Sequence, residues 1–192
     1  TEEILVKTAK GVETRRFTFR KTHHGSIVSE HEGKPIAIRL AKLEEGGWLD
    51  QWYEMIRARS LAEFKTALRR GAIPYMNITY ADREGNIFYV YNGSVPRRSP
   101  QFDWHKPVDG SDPRTEWQGY HSFDELPQLT NPATGFVQNC NSTPFATTTS
   151  GNPVAADFPA YMIGPEIDTP RARVSKRILT AQEKFSFEDW TR

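Results

Sequence analysis

Between Asn92 and Pro127 the sequence leaves no room for a helix or a long strand. Gly93, Pro96, Pro100, Pro107, Gly110 and Pro113 interrupt every window. Proline lacks an amide donor and fixes φ, and glycine gives the backbone access to turn conformations. The same stretch carries Phe102, Trp104, Trp117, Tyr120 and Phe123. Disordered segments are poor in aromatics, so this is expected to be a packed loop, and long packed loops are commonly functional. With 13 prolines and 13 glycines in 192 residues, ordered loops and turns are expected along the rest of the chain as well.

Short regular elements surround that loop. Residues 4 to 9 and 15 to 20 read as strands; Arg16, Phe17, Thr18, Phe19 and Arg20 alternate polar with aromatic, the period of a half-buried strand. A further strand, residues 35 to 41, follows the turn at Glu32-Gly33-Lys34. Trp48, Leu49, Trp52, Tyr53 and Ile56 recur at helical spacing, as a core-facing stripe or as the lining of a pocket. Ser60-Leu61-Ala62-Glu63 is a capping box; it opens a helix to about Arg70 that shows Leu61, Phe64 and Leu68 on one face and stops at Gly71. Tyr75 to Ala81 and Ile87 to Tyr91 form a hairpin around Asp82 to Asn86. Its return strand is apolar on both faces, which predicts a central position in the sheet. Pro170, capped by Thr169, starts a helix on which Arg173, Val174, Arg177 and Ile178 recur, and Ser186-Phe187-Glu188-Asp189 opens another. The pattern predicts an α+β fold, largely antiparallel, with covering helices, over a single domain of residues 1–192.

Charge and apolar patterning remove several function classes. A net charge of +1, with both signs interspersed, gives no reason to expect nucleic acid or an anionic membrane as partner. No apolar run reaches the length of a membrane span. Cys140 is the single cysteine, so no intrachain disulfide framework exists. The adjacent pair His23-His24 invites a metal, but neighbouring strand residues point to opposite faces and no tetrahedral ligand spacing accompanies them. Asp103, Asp109, Asp112 and Asp124 do not have the spacing of the twelve-residue calcium loop.

Asn131 to Phe145, NPATGFVQNCNSTPF, is the stretch with chemistry in it. Read as a short strand, it puts Asn139 and Asn141 on one face and Gln138 and Cys140 on the other. Two carboxamides held there would supply fixed neutral donors for a developing oxyanion. The other reading is that these asparagines are turn-formers bonded to their own backbone.

The stretch resembles a segment of the penicillin acylase (penicillin amidase) family of N-terminal-nucleophile hydrolases, through Asn131, Pro132, Gly135, Phe136, Val137, Asn139, Asn141 and Pro144. Thr22-His23-His24-Gly25, Tyr80-Ala81-Asp82, Gly85-Asn86-Ile87 and Pro96-Arg97-Arg98 are similar to further family segments. So are Glu116-Trp117-Gln118-Gly119-Tyr120 and Phe123-Asp124-Glu125-Leu126-Pro127. They occur in the family's order over most of the chain.

The resemblance implies part of an αββα sandwich, within a self-processed β subunit that pairs with an α subunit. It implies hydrolysis of a small acyl amide by an N-terminal serine, which this chain lacks; both ends then look like cut points within a longer protein. Thr1 is a rival nucleophile only in principle. By resemblance, Asn141 is a catalytic oxyanion donor, Asn139 a substrate-binding residue buttressing the same turn, and Arg173 a catalytic-site arginine, with Arg171 as its rival. No cofactor is needed for the chemistry. A structural calcium is implied, with Asp157 as the one ligand nominated here. The family also implies a periplasmic or extracellular location. The alternative from composition is a non-catalytic, aromatic-rich module that binds carbohydrate or peptide.

Overall fold

A computed structural model describes residues 1–164 and 167–191, with the side chain of Asn92 left aside. The chain groups into two compact units, Thr1–Leu40 and Ala41–Arg192.

The first unit is strand and turn only. β1 (Glu2–Thr8) pairs antiparallel with β2 (Gly11–Phe17). β3 (Lys21–Thr22), β4 (Gly25–His31) and β5 (Lys34–Ile38) form a second antiparallel sheet. The strands start and stop a few residues earlier than the alternation predicts. The half-burial expected around Phe17 is absent: every residue of β2 is exposed, because no helix within this unit covers the hairpin.

The second unit holds the core. α1 (Trp48–Arg57) and α2 (Leu61–Leu68) lead into β6 (Tyr75–Ala81), β7 (Ile87–Gly93) and β8 (Gln128–Thr130), and β7 is the central strand. Phe88, Tyr89 and Val90 are fully buried, as expected of a strand apolar on both faces. Phe64 and Leu68 of α2 pack with Ile78, Phe88, Phe123 and Met162 in one cluster. Each such side chain removed from water contributes roughly 1.5–3 kcal/mol. Ser60 Oγ accepts from the Glu63 amide at 3.2 Å, as the capping box predicts. The return half differs, since Glu63 Oε2 accepts from the Arg59 amide at 2.8 Å.

α1 corrects the expectation for its stripe. Trp48, Leu49, Tyr53 and Ile56 are exposed, and the buried residues are Gln51 and Met55. Gln51 Oε1 accepts from the amides of Ala72 and Ile73 at 2.7 and 3.1 Å. That buried clamp ties α1 to the turn after α2 and so decides which face of α1 looks inward.

The loop after β7 is packed, as its aromatics predict. Thr115 and Phe123 are buried. Residues 95–97 run against 118–121 through Gln118 N–Arg97 O, Arg97 N–Gly119 O and His121 N–Val95 O, each 2.9 Å, around a Pro96–Tyr120 bridge. α3 (Pro170–Leu179) starts where Thr169 Oγ1 accepts the Ala172 amide at 3.1 Å, and α4 (Phe187–Trp190) starts at Ser186. The whole is mixed helix and antiparallel sheet.

Candidate active site

The asparagine stretch is an irregular loop, where the strand reading put Asn139 and Asn141 on one face. Two backbone turns forbid a strand: Asn131 has φ 46° and Asn141 has φ 54°, both in the left-handed region. Asn131 belongs to the framework, with Oδ1 accepting from the Ile87 amide at 2.8 Å and Nδ2 donating to Asn86 Oδ1 at 3.1 Å. Gln138 points inward and donates from Nε2 to Ala146 O at 3.0 Å.

Asn139 and Asn141 take different parts. Asn139 Oδ1 accepts from the Asn141 amide at 2.9 Å, and its Nδ2 donates to Ser142 O at 3.0 Å. It is a turn-former whose whole carboxamide is engaged. Asn141 is held from outside. Arg171, in the first turn of α3, donates through one terminal nitrogen to Cys140 O at 2.9 Å and to Asn141 Oδ1 at 3.0 Å. A guanidinium only donates, so the atom facing it must be the amide oxygen. That settles the orientation of the carboxamide. Among the described residues Asn141 Nδ2 has no hydrogen-bond partner and is left as a donor.

Arg173, nominated from the sequence, lies two residues further along α3 and donates to Asp168 O at 2.9 Å. It does not bond Asn141; Arg171 does. Asp157 closes a short 3-10 turn and is exposed. Among the described residues it belongs to no group of three or more His, Cys, Asp or Glu side chains close enough to share an ion.

Asn139 and Asn141 both line an open cavity of about 570 Å³, together with Tyr75, Met76, Arg98 and Tyr161. The Arg98 guanidinium lies over the rings of Trp104 and Trp117, 5.3 and 5.4 Å from their centres. Its Nε is buried without a partner, and burial pushes its pKa down. Tyr161 is fixed from behind: its hydroxyl meets His121 Nε2 at 3.0 Å, and His121 Nδ1 lies 3.3 Å from Glu125 Oε1. Glu125 also accepts from the Ser122 amide and hydroxyl and from Arg97, and these bonds bring its pKa down to about 2. Sequence reasoning did not single out Arg98 or Tyr161 as cavity residues, or His121 behind them. Their contacts span up to 40 residues and follow no period; the only signal was that Arg98 sits in a family-like segment.

The cleft joins neutral amide donors, one cation and aromatic side chains on an α+β scaffold, a concave mixed lining of the kind small-molecule sites use. The penicillin amidase family model matches residues 1–192, and the chain belongs to that family. It is 29% identical to Penicillin G acylase of Escherichia coli over 140 residues, covering 71% of this chain and 16% of that protein. It is 24% identical to acyl-homoserine lactone acylase QuiP of Pseudomonas fluorescens over 143 residues, covering 69% of this chain and 17% of that protein. A thermostable penicillin G acylase from Alcaligenes faecalis superposes with a TM-score of 0.75 at 27% identity, over 99% of this chain and 32% of the other. The chain thus spans about a sixth of the length of these curated relatives and about a third of the solved one.

Proposed function

We propose that these residues are an inner part of an acylase β subunit and furnish the oxyanion donor and part of the substrate cavity. The observation that carries this is the Asn141 carboxamide: its oxygen is held by Arg171 at 3.0 Å and its Nδ2 is free on a cavity wall. In the reaction, the hydroxyl of an N-terminal serine supplied by the rest of the protein attacks the amide carbonyl. Its own α-amine takes the proton. Asn141 Nδ2 donates to the oxygen as it becomes negative, and as a neutral group already in place it needs no reorganisation. The amine leaves and water hydrolyses the acyl-enzyme. Arg171 is the positioning residue for Asn141, and Asn139 sets the turn that carries it. The α subunit and the remaining β chain complete the cavity, after autocatalytic cleavage, in the periplasm or outside the cell.

The test is intact mass and turnover of the complete gene product. The proposal expects two chains, the larger with a serine at its new N-terminus, and release of acid and amine from an acyl amide such as penicillin G. A single uncleaved chain without amide hydrolysis overturns it.

A further inference from the structure

We propose that Arg98 is an anion anchor in this cavity and selects acyl amides that carry a carboxylate. The inference rests on the acylase reading of the same cavity and adds what the substrate must look like.

Among the described residues, Arg98 is the one charged side chain lining the cavity. Arg69, Arg70 and Arg97 of this unit are ion-paired, with Asp124 at 2.8 Å, Glu54 at 2.6 Å and Glu125 at 2.7 Å. Among the described residues Arg98 has no ion pair and no hydrogen bond. Two indoles hold its guanidinium, so the fork is oriented before any ligand arrives. Burial lowers its pKa, yet a guanidinium keeps its proton in proteins, so the charge remains and, among the described residues, has no counter-ion. A partly buried cation without an anion is costly, and a ligand carboxylate removes that cost through charge-assisted bonds. The neighbouring polar groups do not compete. Tyr161 is engaged with His121, and Asn139 with its own turn. The cavity therefore separates two tasks, with Asn141 facing the charge that develops during reaction and Arg98 facing a charge the substrate already has.

The carboxylate can belong to the amine half or to the acyl half, and two matched pairs distinguish them. Penicillin G and its methyl ester differ by a carboxylate on the amine side. N-succinyl- and N-butyryl-4-nitroanilide differ by one on the acyl side. Each is assayed with the complete processed enzyme, as wild type, Arg98→Lys and Arg98→Met. The expected result is a fall of roughly tenfold to hundredfold in the charged-to-neutral ratio of kcat/KM for one pair in Arg98→Met, with part of it restored in Arg98→Lys. The pair that responds names the half. Equal losses on both members of each pair, or an unchanged ratio in both pairs, overturn the anchor and leave Arg98 as packing for Trp104 and Trp117. Calorimetric binding of penicillin G and its ester separates this from failure of the acylase reading. Tighter binding of the free acid by wild type, lost in Arg98→Met, with no hydrolysis of any substrate, keeps the anchor and discards the acylase. Equal binding of acid and ester, or binding of neither, discards the anchor.

Discussion

Asn141 is the residue at which backbone and chemistry can be tested separately. Its φ of 54° lies where a residue with a Cβ is strained by roughly 1–2 kcal/mol, a cost that asparagine, aspartate and glycine largely escape. Asn141→Ala therefore loses the carboxamide, with its donor and its bond to Arg171, and adds strain, while Asn141→Gly loses the same carboxamide without the strain. Losing one oxyanion donor costs about two to three orders of magnitude in turnover. Both variants should fall by that factor in kcat with KM little changed, and only Asn141→Ala should also lose thermal stability. Asn141→Asp keeps the bond to Arg171 and the turn but replaces the free N–H donor with an acceptor, so its turnover should be at or below that of Asn141→Gly. The assay is steady-state hydrolysis of an acyl amide by the complete enzyme, with a melting curve for each variant. Asn141→Gly within tenfold of wild type would refute the oxyanion role, because a loss confined to Asn141→Ala is then explained by backbone strain alone.

Two further predictions concern the scaffold. Gln51→Leu keeps the volume but removes the oxygen that accepts from the buried amides of Ala72 and Ile73. At about 1–3 kcal/mol for each orphaned group the melting point should fall by roughly 5–15 °C, and a change below about 2 °C would show that the clamp does not hold α1. Glu125 titrates at about 2 against an ordinary 4.5, because Ser122, Arg97 and His121 favour its ionised form. A depressed folded-state pKa contributes stability above the unfolded value, and that contribution is lost as pH falls from 4.5 through about 2. Glu125→Gln should flatten this part of the acid unfolding curve, and superimposable curves for the two proteins between pH 5 and pH 2 would count against the network behind Tyr161.

Elements that carry both a boundary signal and a period were readable in the sequence. α2 has Ser60 at one end, Gly71 at the other and Phe64 and Leu68 between. The β6–β7 hairpin has β-branched and aromatic arms about an Asp-Gly-Asn loop, in which Asp82 accepts the amides of Glu84 and Asn86. α1 was readable as a helix but not in its orientation. Hydrophobic period counts apolar residues, whereas Gln51 is buried because two amides need its oxygen. β8 is three residues between prolines, too short for any period. At the site, the asparagine loop was legible as a cluster of carboxamides but not as shape, since the strand reading missed the positive φ at residues 131 and 141. Arg171 and Arg173 are two residues apart, and only the turn of α3 distinguishes which of them reaches Asn141.

The clamp between residues 95–97 and 118–121 also has a consequence for chain length. Both ends of the intervening lobe are pinned by backbone bonds next to Arg98 and Trp117. The cost of closing a flexible loop rises only slowly, by about 0.6 kcal/mol for each doubling of its length. Lys106 and Pro107, at the lobe's exposed edge, can therefore accept inserted residues at small entropic cost, with the lobe's two attachment points left where they are. The lobe can change in size and outer surface while the cation it carries into the cavity stays in register with the sheet.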